Sequence, residues 1–227
     1  MPTPCQSDTV PYSTVVDLTR ETPALGRREA RRIDRREAIL VVAHASFLEH
    51  GYAATSMSAI AATVGGSKAT LWSYFPSKEA LFAAVLDQAT SLYRAQLSSL
   101  LDGPGDVEAT LRRFCGSFLD RVTSPVAIAL HRLVHSEAGR FPEMGQIFYE
   151  RAPNTTYTMV GNFIAAAMER KQLRAADPMR AAKMLTSLCQ SGTHQQLLLG
   201  RIAAPTPALL SADAEAAIDV FLRAYRP

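Results

Sequence analysis

Apolar residues recur at helical spacing along almost the whole chain. Between about Asp34 and His50, Leu40, Ala43 and Phe47 form one stripe, and Gly51 stops that helix as a C-terminal cap would. Met57, Ile60, Ala61 and Val64 fall at i, i+3, i+4 and i+7, which predicts a short helix over 57–64. Gly65-Gly66 supplies a tight turn, and Ser67 is a good N-cap for a helix over 68–74. Leu71 and Phe75 form the inward side of that helix, expected to pack on Ile60 and Ala61. Pro76 cannot continue it. Ser77 caps a long helix over 78–101, with Leu81, Phe82, Val85, Leu86, Ala89 and Leu92 as its buried stripe. Asp102-Gly-Pro-Gly-Asp106 marks a boundary. Further helices are predicted at about 107–123, 126–138, 142–152, 154–171, 178–199 and 212–225, broken at proline and glycine positions. No alternating pattern supports a sheet. The predicted fold class is all-α.

Composition changes this picture little. The 227 residues are 48% hydrophobic and 20% charged, ordinary for a globular protein, with a net charge of only +3. Nucleic-acid binding would therefore need local clustering of charge. Two such places exist. Arg27 to Arg36 holds six arginines against Glu29 and Asp34, a local charge of +4, and reads as an arm that follows phosphates or enters the minor groove. No acid occurs between Glu49 and Glu79, while Lys68 and Lys78 both fall inside that window. Residues 1–26, with Pro2, Pro4, Pro11 and Pro23 among Ser and Thr, lack a sustained apolar period and read as disordered. The three cysteines, Cys5, Cys115 and Cys189, fit a reducing compartment rather than a disulfide scaffold. No apolar run spans a membrane and Met1 to Asp8 shows no secretory signal, so a cytoplasmic location is expected.

A helix-turn-helix without acids, whose second helix carries hydroxyls, an amine and aromatic rings, suits a polyanion. From about Arg35 to Val85 the chain resembles the DNA-binding domain of the TetR/AcrR family of bacterial transcription regulators. The resemblance includes Phe47-Leu-Glu-His-Gly-Tyr52 and Leu71-Trp-Ser-Tyr-Phe-Pro-Ser-Lys-Glu-Ala-Leu81. Arg132 to Arg151 and Phe221-Leu-Arg-Ala-Tyr225 are similar to the C-terminal domain of the family's AefR-like branch. The resemblance implies a disordered extension over 1–30 with a basic arm from 27, a DNA-binding domain over 31–85, and an effector-binding and dimerisation domain over 86–227. It implies base contacts from Lys68, Ala69, Thr70 and Ser73 at the head of a recognition helix capped by Ser67. Phosphate contacts would come from Arg35 in the basic arm, Thr55, Trp72, Tyr74 and Lys78. Three positions depart from the family pattern: Gly66 stands where an apolar anchor is usual, Trp72 where Tyr is usual, and Ser73 where His or Tyr is frequent.

The same resemblance implies a homodimer through helices 178–199 and 212–225, with Met184, Leu185, Leu188, Leu198, Leu199, Ala217, Ile218, Phe221 and Leu222 as the apolar positions available. It also implies a repressor on a palindromic operator, released by a small molecule. Tyr93, Phe114, Phe118, His131, His135, Phe148, Tyr149 and Phe163 are the candidate lining of an effector pocket for an apolar or amphipathic ligand. No cofactor, bound metal or catalytic residue is expected. His131 and His135, four apart, are half of a zinc site, but no spacing fixes a third ligand. A helical enzyme is a rival, though no nucleophile elbow or phosphate-binding glycine loop occurs. A protein–protein adaptor with a degenerate DNA head is another, supported by Gly66.

Overall fold

The computed structural model of the protein describes residues 26–102 and 105–227, and within them it is helical with no strand. The eleven helices are α1 (Arg27–Ala54), α2 (Met57–Val64), α3 (Lys68–Tyr74), α4 (Lys78–Leu101), α5 (Val107–Val122), α6 (Pro125–Glu137), α7 (Pro142–Arg151), α8 (Pro153–Glu169), α9 (Pro178–Gln190), α10 (Thr193–Leu198) and α11 (Pro207–Tyr225). Of the extension expected to be disordered, residues 1–25 lie outside the described residues.

Local chemistry sets most of the boundaries. Ser56, Ser67, Ser77, Ser124 and Thr206 each accept a backbone N–H of the first turn that follows. Asp106 and Asp177 do the same with carboxylates at the positive ends of α5 and α9. Proline opens α6, α7, α8, α9 and α11, where its missing N–H costs nothing.

Three expectations are corrected here. The basic arm is not part of a disordered extension: Arg27 opens α1, and Arg27 to Arg32 are helical, with Arg32 paired to Glu29 at 3.8 Å. The helix expected over 178–199 breaks at Ser191-Gly192, because the Asp213 carboxylate of α11 accepts the Thr193 N–H at 2.7 Å and starts α10 there. A Cβ at Gly192 would stand 2.3 Å from Asp213 Oδ1, so only glycine admits this approach. Leu92, expected in the buried stripe of α4, is 69% exposed. The buried positions beyond Leu86 are instead Thr90 and Leu97, because α4 turns a different face inward once it has passed the head.

Two apolar cores occupy the body from Arg36 onward. One is built from Ile39, Leu40, Phe47, Tyr52, Ile60, Leu71, Phe75, Leu81, Phe82 and Leu86, and it takes in Leu133, Val134 and Met144 from α6 and α7. The other joins the end of α4 with α5, α8, α9 and α11 around Leu111, Phe114, Leu119, Val160, Ile164, Leu185, Ile218 and Phe221. The boundary expected after Val85 thus falls inside a continuous α4, and the core of the head is completed by helices that lie later in the chain. Cys115 and Cys189 are free thiols inside the second core. The side-chain hydrogen bond with Cys115, followed by burial, pushes the Cys189 thiol well above its ordinary range, so it stays protonated. No helix is long and apolar enough to cross a membrane among the described residues.

Candidate nucleic-acid interface

The α2–α3 unit is held by its turn. Gly65 adopts φ 73°, the left-handed conformation that closes α2. Its N–H donates to Ala62 O at 3.1 Å and that of Gly66 donates to Ala61 O at 3.0 Å, the paired bonds of a Schellman motif. Val64 packs partly against the core. The turn is therefore fully bonded, which removes the support for a degenerate head.

α3 is two-sided. Leu71 is 2% exposed and Phe75 3%, both in one core with Ile60 and Ala61, as anticipated. Burying one leucine contributes roughly 1.5–3 kcal/mol, enough to pin a seven-residue helix in place. Ser67, Lys68, Ala69, Thr70, Trp72 and Ser73 face outward, and Tyr74 is half-buried against the core. Ser67 Oγ accepts the Thr70 N–H at 3.1 Å and lies 2.8 Å from Thr70 Oγ1, while Ser73 Oγ donates to Thr70 O at 2.7 Å. Each hydroxyl keeps acceptor capacity on the exposed face. Arg35, on α1, is half-buried.

One predicted phosphate contact, Thr55, is not available in this geometry, and a second, Lys78, is partly engaged within the chain. Thr55 is 3% exposed, and its hydroxyl is engaged with Gly51 O at 2.8 Å and Ser46 O at 3.0 Å. It buttresses the end of α1 instead of facing out. Lys78 sends its ammonium over the Tyr52 ring, 4.3 Å from the centroid, and donates to Ala53 O at 3.4 Å. Burial lowers its pKa, opposed by Glu137, Glu79 and Glu143.

Around that lysine sits a joint that the sequence reading missed. Gly51 breaks α1 at φ 86°. The N–H groups of Tyr52 and Ala53 are thereby freed, and both donate to the Glu137 carboxylate at the end of α6, at 2.9 and 2.8 Å. Tyr52 Oη donates to Glu79 Oε1 at 3.2 Å. Bonding at its own N–H, then the Ser77 hydroxyl, holds the Glu79 carboxyl below its usual range. A Cβ at Gly51 would lie 2.5 Å from Glu137 Oε1. The only sequence-level signal was the glycine itself, because its partner lies 85 residues away.

α6 also walls a cavity of about 310 Å³. Five of the eight predicted lining residues face it: Tyr93, Phe118, His131, His135 and Phe148. The other three are corrected. Phe114 is fully buried and stacks on Phe118 in the core. Phe163 lines a separate cleft beside Leu101 and Arg170. Tyr149 is 44% exposed, tilted against Tyr157 on the outside. The sequence reading missed Arg94, Arg121, Arg151, Gln190 and His194 on the same wall. Arg121 carried a signal: it follows Phe118 by three on an inward stripe, where a charge has no purely structural reason to be.

His131 does not pair with His135 to start a metal site. Its Nδ1 lies 2.9 Å from His194 Nε2, and His135 Nδ1 bonds the His131 carbonyl at 2.7 Å. Among the described residues no three His, Cys, Asp or Glu are grouped to hold a metal ion. Burial first, then the fields of His194, His135 and Arg121, lower the His131 pKa to about 4. Burial and His135 lower that of His194 too, so both rings are neutral near pH 7.

The face expected to meet a second copy is partly redrawn. Leu185, Ala217, Ile218, Phe221 and Leu222 are buried within the chain. Met184, Leu199, Leu209 and Val220 are exposed, and Met184, Leu188 and Val220 line one groove between α9 and α11.

With this geometry in hand, comparison with known proteins is informative. Residues 39–85 match the family model described as bacterial regulatory proteins, tetR family, and residues 109–227 match that of the AefR-like transcriptional repressor, C-terminal domain. The chain is 39% identical over 74 residues to the HTH-type transcriptional regulator RutR of Escherichia coli, covering 33% of this chain and 35% of RutR. The match thus spans about a third of that relative. Among solved structures, the flavonoid-responsive regulator FrrA is similar at 33% identity and a TM-score of 0.69, covering 86% of this chain and 98% of that one. A TetR-family regulator from Mesorhizobium loti shares the fold at a TM-score of 0.75 and 24% identity, covering 87% of this chain and 99% of that one.

Proposed function

The chain belongs to the TetR family of bacterial regulatory proteins, and from that membership we propose that it is a DNA-binding transcriptional regulator. In this reading it binds a palindromic operator as a homodimer and represses until a small molecule enters the α4–α6–α8 cavity. The observation that carries the proposal is the outward face of α3, where Ser67, Lys68, Ala69, Thr70, Trp72 and Ser73 are presented without one carboxylate while Leu71 and Phe75 anchor the other side. Lys68 reaches a guanine edge or a phosphate. Thr70 and Ser73 offer hydroxyls, Ala69 meets a thymine methyl, and the Trp72 indole N–H donates to a phosphate oxygen.

One head makes few contacts, and two related by a twofold axis would read half-sites about 34–36 Å or a multiple apart. The exposed apolar strip of Met184, Leu199, Leu209 and Val220 on α9, α10 and α11 supports dimerisation there. The AefR-like match supports repression. The description of FrrA as flavonoid-responsive supports a largely apolar, ring-shaped effector, and a 310 Å³ cavity is at the small end for such ligands.

Selection of bound duplexes from a random pool, with sequencing, tests the reading. One enriched palindrome whose affinity falls steeply with salt is the expected result. Weak, salt-insensitive binding with no enrichment would sink it.

A further inference from the structure

The cavity wall is chemically lopsided. Arg94, Arg121 and Arg151 all line it, and no aspartate or glutamate does. Arg94 and Arg151 share the single carboxylate of Asp87, which lies behind the wall. Arg121 has no carboxylate partner among the described residues, and its Nη2 donates instead to the Ala89 carbonyl of α4 at 2.7 Å. An arginine on an inward face, held by one neutral acceptor, leaves four N–H donors and most of its charge uncompensated.

Two unsatisfied buried polar atoms belong to residues of the same wall. Only His44 Nε2, Tyr93 Oη and His194 Nδ1 are buried side-chain polar atoms without a partner among the described residues, and Tyr93 and His194 both line this cavity. His194 is 4% exposed, so its unpaired nitrogen is not reached by bulk water. Groups like these destabilise the fold when left without a partner. The His131–His194 bond takes one proton, and either ring can donate it. Tyr93 contributes an O–H and Arg121 its guanidinium. Arginine and tyrosine donors and no carboxylate therefore meet Phe118, Val126, Leu130, Phe148 and Leu198, which supply an apolar floor.

We infer that the cavity selects an organic anion: an apolar, preferably aromatic skeleton ending in one carboxylate, with the charged end on Arg121. The inference rests on the effector role proposed above and adds the charge of the ligand. It also gives the ligand a lever. A carboxylate is a stronger partner for a guanidinium than a backbone carbonyl is, so the anion takes Arg121 from Ala89 and loosens its hold on α4, which begins at the DNA-binding head.

The test uses matched acids and amides of equal shape: cinnamate with cinnamamide, 2-naphthoate with 2-naphthamide, and decanoate with decanamide. Each is titrated calorimetrically into the full chain at pH 7.5, and its effect on operator binding is followed in parallel. At least one acid should bind tenfold or more tighter than its amide and release DNA. In Arg121→Gln the acid should lose that advantage while the amide is unchanged, and Arg121→Lys should restore part of it. Should the arginine variants fail to fold, the acid-to-amide ratio of the unaltered chain and its decline with added salt decide the matter. An amide that binds as tightly as its acid and still releases DNA would overturn the anionic assignment and leave the effector role standing. Binding by none of the six, with Leu130→Trp indistinguishable from the unaltered chain in DNA release, would overturn both.

Discussion

At the residue scale, Glu137 is the side chain whose removal should be felt most widely. Its carboxylate satisfies two N–H groups that Gly51 strips from the end of α1. Hydrogen bonds to a charged acceptor contribute about 1.5–3 kcal/mol. Glu137→Ala should lower the urea midpoint by an amount corresponding to roughly 2 kcal/mol, and Glu137→Gln by less. Gly51→Ala should cost at least as much, since it adds a clash to a positive φ that alanine disfavours. A Gly51→Ala midpoint equal to that of the unaltered chain would contradict the joint. Thr70 is a different kind of residue, exposed and outside the core. Thr70→Ala should leave thermal stability within about 0.5 kcal/mol and change the base preference recovered in a duplex selection.

At the element scale, the recognition helix and α6 show what local pattern can and cannot carry. The boundaries of α2, α3 and α4 were legible because caps, prolines and apolar periods act within one or two turns. The inward side of α3 was legible for the same reason. The role of Thr55 was not, because whether its hydroxyl faces out or bonds back to Gly51 and Ser46 depends on how α1 ends, and the Tyr52 ring and Ala53 that partly hold Lys78 lie on another helix. Lys68 makes no such bond and stays exposed. Lys68→Ala should weaken operator affinity about tenfold, some 1.4 kcal/mol, and lower the salt slope by about 0.9 if the lost contact is a phosphate. An unchanged affinity at 150 mM salt would take Lys68 out of the interface. α6 runs from the cavity at His131 to the head at Glu137, so one rigid element touches both, a link that no stretch of sequence displays.

At the scale of the whole molecule, dimerisation and pH response depend on surfaces and interiors assembled from distant segments. Met184 and Val220 stay exposed because α9 and α11 turn Leu185, Ile218 and Phe221 inward. Met184→Glu should convert a dimer at micromolar concentration into a monomer in sedimentation analysis; an unaltered dimer would move the interface elsewhere. His131 titrates at about 4, below the roughly 6.5 of an unfolded histidine. The unfolded chain therefore binds the extra proton first, and stability is lost as pH falls from about 6.5 toward 4. By pH 5 that loss is about 2 kcal/mol from this group. The melting temperature of the unaltered chain should thus fall more between pH 7.5 and 5 than that of His131→Gln. Equal falls would assign the titration to other groups.

The sequence by itself determined that the protein is all-helical, where most of the helices begin and end, and which face of α3 is offered to a partner. These follow from interactions spanning a few residues, whose periods and caps are written side by side in the chain. Only the tertiary structure decided that Arg121 and His194 join the cavity while Phe114 and Phe163 leave it, that α9 and α10 divide, and that Glu137 closes the joint of α1. Each of these depends on an approach between residues far apart in the chain, 63 for His131 and His194 and 85 for Tyr52 and Glu137. A polar side chain reads alike in sequence whether it faces water or a buried partner, and the packing of helices determines which it meets.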